Sequence, residues 1–329
     1  MGLLQRSVQQ TTNVVHPEVA GKVARLVDSI EKVIFGKREV VKLCVAGLLA
    51  KGHILIEDVP GMGKTTLAQG LARSIEGTFH RVQFTSDMLP SDILGVSVLN
   101  QKLHEFEFRP GPIFANVVLA DEINRTPPKT QSALLEAMSE FQISIDGVSR
   151  RLPRPFIVLA TQNPIEYEGT YTLPESQLDR FMLRVAMGYP GDEDEMHIMR
   201  RRDPISTLEN LQPVLTAQEI VDLQDVTGLI MVEESVARYI LAIIQGTRSH
   251  EYIQLGASPR ATVSFYEACQ ARALVEGRDF VTPDDVKTMA GPVLAHRILV
   301  KSRDNNPIAS ANARARAIAE IVQKTPLPE

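Results

Sequence analysis

A short apolar strand signal, a glycine-rich turn and an amphipathic helix signal follow one another directly in the first quarter of the chain. The strand signal is HILIED (53–58), the turn reads GMGKTT (61–66), and Leu67, Leu71 and Ile75 recur on one face of the helix. In this order, the backbone N–H groups of the turn and the N-terminus of the helix can bind a phosphate group. The stretch therefore predicts a parallel α/β fold with a nucleotide site at the turn.

Each residue type in the turn has an expected role in binding ATP and Mg²⁺. Gly61 and Gly63 let backbone N–H groups turn toward a polyphosphate. Lys64 is expected to neutralise the β and γ phosphates, and Thr65 to ligate Mg²⁺. Asp58 stands where the general motif has its first glycine, so the pattern is met only in part. The predicted nucleotide-binding residues are Asp58, Val59, Pro60, Gly61, Met62, Gly63, Lys64, Thr65 and Thr66.

Two further apolar strand signals end in residues that suit hydrolysis. VVLADE ends in Asp121, expected to hold Mg²⁺ through water, and in Glu122, expected to polarise an attacking water. FIVLAT is followed by Asn163. Because ligands of open α/β sheets bind at the carboxyl ends of the strands, we expect these side chains to converge on Lys64. Taken singly, the acids also fit a solvated strand end, and the asparagine fits a cap of the turn before Pro164.

The distribution of strand and helix signals predicts two domains. Apolar strands alternate with helices as far as FMLRVAM (181–187), which indicates a parallel sheet between helices. Beyond GYPGDEDE, strand signals fade, and helix-start signals accumulate: Thr216 with Glu219, Ser258 with Pro259, and Thr282 with Pro283. We predict a polar N-terminal tail, an α/β domain, and a linker with a smaller all-helical lid domain, with the bounds 1–16, 17–190 and 191–329.

Composition limits the partners and the compartment. The 329 residues include 35 Lys plus Arg against 40 Asp plus Glu, a formal net charge of -5, whereas nucleic-acid binding normally shows a basic excess. Cys44 and Cys269 lie far apart in apolar stretches and are predicted to be reduced core thiols. The N-terminus lacks a secretory pattern, and no apolar run approaches the ~20 residues of a membrane span. We expect a cytoplasmic protein with no nucleic-acid partner and no membrane insertion.

Several long stretches resemble the MoxR family of AAA+ ATPases, within the helix 2 insert clade, over essentially the whole chain. They are EDVPGMGKTTLAQ, RVQFTSDMLPSDILG, RPGPIFANVVLADEINRTPPKTQSALLEAM, VLATQNPIEYEGTYTLPESQLDRF and LGASPRA. EDVPGxGKT resembles the usual form in that family, so Asp58 is not a sign of lost activity. By this resemblance, Lys64 and Thr65 are the Walker A pair. The Walker B acids are Asp121 and Glu122, and sensor 1 is Asn163.

The resemblance also implies residues and partners that act between subunits. Arg180 resembles the arginine finger that enters a neighbouring subunit's site, and Arg260 resembles sensor 2, contacting γ-phosphate from the helical lid. Residues 93–114 resemble the helix 2 insert, and residues 142–156 resemble the hairpin before sensor 1. The family implies an oligomeric ring, expected to be hexameric, that remodels or matures a client protein beside a partner with a von Willebrand factor A domain.

Two other functions stay open at this stage. Ring helicases share the ATPase core and the hairpin, so a nucleic-acid-stimulated motor is one alternative. An ATP-switched scaffold with little turnover is the other, although it has no need of hydrolytic groups. Arg125 is expected at a subunit interface without a catalytic role. The basic cluster Arg150, Arg151 and Arg154 is interpreted as a solvated hairpin edge.

Overall fold

The structure is a computed structural model, and its description covers most of the chain. The described ranges are 17–58, 61–163, 170–200, 204–301 and 307–328. The predicted tail (1–16) and two predicted loop residues, Val59 and Pro60, lie outside these ranges.

The α/β part follows two N-terminal helices. Its elements are α1 (Pro17–Glu31), α2 (Arg38–Leu49), β1 (Ile54–Glu57), α3 (Lys64–Ser74), β2 (Phe79–Gln83), α4 (Pro90–Leu94), β3 (Gly95–Asn100), β4 (Glu105–Pro110), β5 (Val117–Asp121), α5 (Pro128–Glu140), β6 (Gln142–Ile145), β7 (Val148–Arg151), β8 (Ile157–Gln162), α6 (Glu175–Leu178) and β9 (Leu183–Val185).

The remainder is mainly helical. Its elements are α7 (Asp192–Arg200), α8 (Pro204–Glu209), α9 (Ala217–Thr227), α10 (Glu234–Ser249), β10 (Ile253–Leu255), α11 (Pro259–Val275), α12 (Pro283–Leu294), β11 (Leu299–Val300) and α13 (Pro307–Lys324).

The main sheet is parallel, with strand order β2-β5-β8-β1-β9. Strands β5 and β8 are apolar at nearly every position and buried, as expected for a parallel sheet covered on both faces. Because β8 lies between β1 and β5, its carboxyl end adjoins the ends of both strands. This order brings the phosphate loop, the two acids and Asn163 to one edge, and it confirms the predicted fold class.

Successive residues of β1 divide the core between the two faces of the sheet. Ile54 and Ile56 pack with α3, with the N-terminal helices and with the helical lid, whereas Leu55 packs with the face that α5 covers. Successive side chains of a strand point to opposite faces of the sheet, and the burial of β1 follows this alternation. The N-terminal helices also pack on α11, so the α/β part and the lid share a continuous apolar core.

Two antiparallel hairpins form small sheets of their own, in the regions where inserts are predicted. Strands β3 and β4 form one, and β6 and β7 form the other. Asp146 and Gly147 both have positive φ, 52° and 76°, as the predicted two-residue turn requires. The Arg150 guanidinium lies 4.1 Å from the centre of the Phe108 ring, so this arginine packs one hairpin onto the other.

The predicted helix starts of the lid are confirmed by their hydrogen bonds. Thr216, Ser258 and Thr282 each accept a hydrogen bond from the backbone N–H of the third residue of the helix they precede. Cys44 and Cys269 are both buried, and burial raises the pKa of Cys44 to about 12. Within the described ranges, no helix is long and apolar enough to cross a membrane.

Candidate nucleotide site

The glycine-rich turn has the backbone geometry of an anion-binding loop. Gly61 and Gly63 have φ values of 85° and 83°, a region that residues with a side chain rarely adopt. Gly63 is the N-cap of α3. Because glycine has no side chain, the N-cap accepts no side-chain hydrogen bond from the first N–H groups of the helix. The Lys64 Nζ donates to the backbone oxygen of Asp58, 2.9 Å away, which folds the lysine back over the turn.

Asp58, the departure from the general motif, has a structural role of its own. Its Oδ2 accepts a hydrogen bond from the backbone N–H of Gly188, at 2.7 Å. Gly188 follows β9 and has a φ of 62°. Asp58 therefore fastens the entrance of the phosphate loop to the segment that leaves the sheet, a contact that glycine could not make.

Asp121 is held by partners on both of its carboxylate oxygens. The Thr161 hydroxyl donates to Oδ1 at 2.6 Å, and the Arg81 guanidinium donates to Oδ2 through Nη2 at 2.6 Å and through Nε at 3.1 Å. Thr161 is fully buried, and its hydroxyl also accepts a hydrogen bond from the backbone N–H of Glu122, at 2.9 Å. One hydroxyl thus sets the positions of both acids.

Glu122 sits at a backbone turn with a φ of 59°, an uncommon value for a residue other than glycine. Its Oε2 accepts a hydrogen bond from Gln83 Nε2 at 2.8 Å and lies 2.9 Å from Arg125 Nε. Gln83 ends the edge strand β2 and is paired in register with Asp121. Two side chains therefore hold the carboxylate of Glu122 from one side, and Arg125, expected only at an interface, is one of them.

The Lys64 ammonium lies among carboxylates that act on its charge. Partial burial lowers the pKa of Lys64, while the nearby carboxylates of Asp121, Asp58 and Glu122 raise it. Asn163 is buried and directly follows β8, between the ends of β1 and β5. The sheet thus brings Lys64 together with the two acids and places Asn163 beside them.

The donor set at this edge suits Mg²⁺. Asp121 provides a carboxylate, and Thr65, the second residue of α3, provides a hydroxyl. Mg²⁺ takes hard oxygen ligands and is usually bound by one or two protein groups together with water and substrate phosphates. The residues present therefore fit the ion.

A cavity of about 370 Å³ opens beside the phosphate loop and was not predicted from the sequence. Its walls are largely apolar and come from the α1–α2 connection, the loop and the segment after β9. The lining residues are Val33, Ile34, Phe35, Lys37, Gly61, Met62, Gly63, Thr66, Met187, Gly188 and Pro190. The apolar run Val33-Ile34-Phe35 before Gly36 was the available signal, although nothing local connects it with the loop.

Comparison with known proteins identifies the family of this chain. The family described as "ATPase family associated with various cellular activities (AAA)" matches residues 53–183, and the AAA lid domain matches residues 245–321. Chaperone MoxR1 of Mycobacterium tuberculosis is 38% identical over 93% of this chain and 82% of its own. The chain belongs to the MoxR family of AAA ATPases.

Two other similar proteins extend over nearly the full length of this MoxR-family chain. Uncharacterized protein YeaC of Bacillus subtilis is 48% identical over 91% of this chain and 93% of its own. A crystal structure of a protein from Cytophaga hutchinsonii aligns over 100% of both chains, with a TM-score of 0.86 and 35% identity. The resemblance to the MoxR family and the two-part AAA fold are therefore confirmed.

The two arginines that the MoxR resemblance implies lie apart from the phosphate loop. Arg180, half-buried after α6, donates through Nη1 to the backbone oxygen of Leu135 at 2.6 Å and to Ser139 Oγ at 3.0 Å. Arg260 is exposed at the second position of α11. Its charge contributes to lowering the pKa of Arg297, so it lies near that residue. Both arginines belong to the side of the molecule formed by α5, α6 and the lid.

Proposed function

We propose that this chain is an ATPase that hydrolyses ATP with Mg²⁺ at the edge formed by β1, β5 and β8. The observation that carries the proposal is the placement of the Lys64 ammonium beside the carboxylates of Asp121 and Glu122, at the phosphate loop and next to the 370 Å³ cavity. An apolar cavity that the phosphate loop itself helps to line suits the adenine ring. The membership in an AAA ATPase family supports the same activity.

The residues at this edge divide the work of hydrolysis. The N–H groups of the loop and Lys64 bind the phosphates, and the cavity excludes water from the base. Thr65 and Asp121 would hold Mg²⁺, which would neutralise phosphate charge. Glu122 orients the attacking water, and Asn163 fixes that water from the neighbouring strand. The contacts with Gln83 and Arg125 are both made by Oε2 of Glu122, so they hold the carboxylate while Oε1 can accept the proton.

We further propose that the site is completed by Arg180 of a neighbouring copy. Arg180 lies on the α5 and α6 side of its own chain, away from the group around Lys64, which suits a residue that serves another subunit. An arginine supplied to the γ-phosphoryl group stabilises transition-state charge and contributes ~10³ to 10⁵ in rate. Arg260, which lies on the same side of the molecule, is proposed to contact that same γ-phosphate from the helical lid. The expected assembly is a homo-oligomeric ring, with six subunits as the proposed number.

The use of the hydrolysis energy is proposed from the relatives. One of them is named a chaperone, which supports remodelling or maturation of a client protein by this chain. A partner with a von Willebrand factor A domain belongs to the same proposal. The two hairpins are the proposed moving parts that contact such a client.

Phosphate release and nucleotide binding by two variants test the ATPase proposal. Lys64→Ala should lose most ATP affinity, because the ammonium that faces the phosphates is removed. Glu122→Gln should bind ATP as the wild type does and release phosphate at least about a hundredfold more slowly. Unchanged turnover in Glu122→Gln would favour a nucleotide-switched scaffold. ATPase activity that rises with added DNA and falls with salt would favour the nucleic-acid motor.

A further inference from the structure

The helical lid contacts the residue immediately before Arg180. The Ser258 hydroxyl donates to Asp179 Oδ2 at 3.1 Å, and Arg297 Nε lies 2.9 Å from Asp179 Oδ1. The second contact is an ion pair rather than an aligned hydrogen bond. Ser258 precedes α11 and Arg297 follows α12, so two separate parts of the lid meet at one carboxylate.

The backbone on the other side of Arg180 is also held by the lid. Arg297 Nη2 donates to the backbone oxygen of Phe181 at 2.8 Å, and Arg297 Nη1 donates to that of Met182 at 3.2 Å. His296 Nε2 forms a further hydrogen bond with the Phe181 oxygen at 2.9 Å. The lid therefore fixes the chain both before and after Arg180, while the guanidinium of Arg180 itself is held by α5.

Burial makes the ion pair a strict requirement for this arrangement. The side chain of Arg297 is 2% exposed and that of Asp179 is 19% exposed. Burial lowers the pKa of Arg297 to about 10, against the opposing effect of Asp179, so the guanidinium stays charged at neutral pH. A buried charge whose partner is removed is strongly destabilised, and the local structure then rearranges.

Ser258 links the same carboxylate to the lid helix that carries Arg260. While its hydroxyl donates to Asp179, its oxygen accepts the backbone N–H of Ala261 and so caps α11. Arg260 is the second residue of that helix. A displacement of the start of α11 therefore pulls directly on the residue before Arg180.

We propose that Asp179 is a positioning residue, which ties the Arg180 segment to the lid so that lid movement in one subunit sets the arginine offered to its neighbour. The inference rests on the proposed ATPase and on Arg180 acting between subunits. It adds a route by which the nucleotide state of one subunit controls hydrolysis in the next. The lid acts through Ser258 and Arg297 on Asp179, and Asp179 sets the position of Arg180.

Three substitutions separate this role from general support of the fold. Asp179→Asn keeps an oxygen for Ser258 and removes the charge that Arg297 pairs with. Ser258→Ala removes both the contact and the helix cap. Thr216→Ala is the matched control, because Thr216 caps α9 in the same way but does not contact the Arg180 segment.

We expect Asp179→Asn to bind ATP within about twofold of the wild type and to lose at least about tenfold in kcat, since a small misplacement of a catalytic group is costly. Ser258→Ala should lose kcat severalfold, whereas Thr216→Ala should keep it. If Asp179→Asn does not assemble, the comparison of kcat between Ser258→Ala and Thr216→Ala tests the proposal. Equal kcat in Ser258→Ala and Thr216→Ala, or wild-type kcat in Asp179→Asn, would overturn the inference.

Subunit mixing adds a readout that a merely structural defect would not change. Asp179→Asn subunits keep an intact phosphate loop, and Lys64→Ala subunits keep an intact Arg180 segment. Mixed assemblies should therefore release more phosphate than the two variants do separately, and no gain would contradict the positioning role. If wild-type protein hydrolyses no ATP, the proposed function fails. If Arg180→Ala is defective while Asp179→Asn is normal, only this inference fails.

Discussion

Replacing Thr161 by Val should disturb both acids of the site at once. The Thr161 hydroxyl donates to Asp121 Oδ1 at 2.6 Å and accepts the backbone N–H of Glu122 at 2.9 Å. Valine has nearly the same shape, so it fills the space but cannot form either bond. The backbone N–H of Glu122 and one oxygen of Asp121 then lose a partner at a fully buried position.

The size of the effect follows from these two bonds. A hydrogen bond to a charged group contributes about 1.5–3 kcal/mol, and a buried group left without its partner costs about 1–3 kcal/mol. Because one hydroxyl makes both bonds, the two values do not simply add, and we expect a loss of about 2–4 kcal/mol in the free energy of unfolding. The acids also shift, which should lower kcat at least about tenfold.

Urea unfolding and steady-state phosphate release measure the two effects, and Thr161→Ser is the matched control. Serine keeps the hydroxyl and removes one methyl group, so it should cost about 1 kcal/mol and leave kcat near the wild-type value. If Thr161→Val were as stable and as active as Thr161→Ser, both expectations would be wrong. That outcome would mean that the hydroxyl does not position Asp121 and Glu122.

Three further predictions concern the loop, the second acid and a buried histidine. Asp58→Ala should weaken ATP binding severalfold in equilibrium titrations, because the bond to Gly188 beside the cavity is lost, whereas Asp58→Asn should bind nearly normally; equal affinities would contradict this role. Gln83→Ala frees one side of Glu122, so basal phosphate release should change by at least about twofold with ATP affinity unaltered, and an unchanged rate would show that Gln83 does not restrain the acid. Burial lowers the pKa of His53 to about 4, against about 6.5 in the unfolded chain. The unfolded chain therefore binds the proton first, and the free energy of unfolding falls as the pH falls through this window. The contribution lost between pH 6.5 and 5 is about 2 kcal/mol, and His53→Gln should remove that part of the pH dependence in urea titrations; an unaltered pH dependence would contradict it.

The phosphate loop and the fold class were predictable because their signals are local. The turn needs residues that tolerate positive φ, as Gly61 and Gly63 do, and the strands around it are apolar on both faces. The helix caps Thr216 and Ser258 were equally local. The predicted strand at 181–187 is shorter in the structure, where only Leu183–Val185 pairs with β1.

The partners of the acids could not be predicted, because they become neighbours only through strand order. Arg81 and Gln83 lie on β2, about forty positions before the acids they contact, and a polar side chain on an edge strand is ordinarily solvated. Thr161 reads as one more residue of an apolar strand. The contact of Asp179 with Arg297 spans more than a hundred positions and depends on how the lid packs. Sequence patterns locate such residues but do not pair them.

We propose that ATP is hydrolysed at a site to which one subunit contributes the phosphate loop and its neighbour contributes Arg180. Mixing Arg180→Ala with Lys64→Ala, each assembled alone and then together, measures this most directly through phosphate release. Each variant alone should be nearly inactive, and the mixture should gain activity at interfaces where an intact loop meets an intact arginine. A mixture no more active than the sum of its parts, or full activity from a dilute monomer, would contradict it.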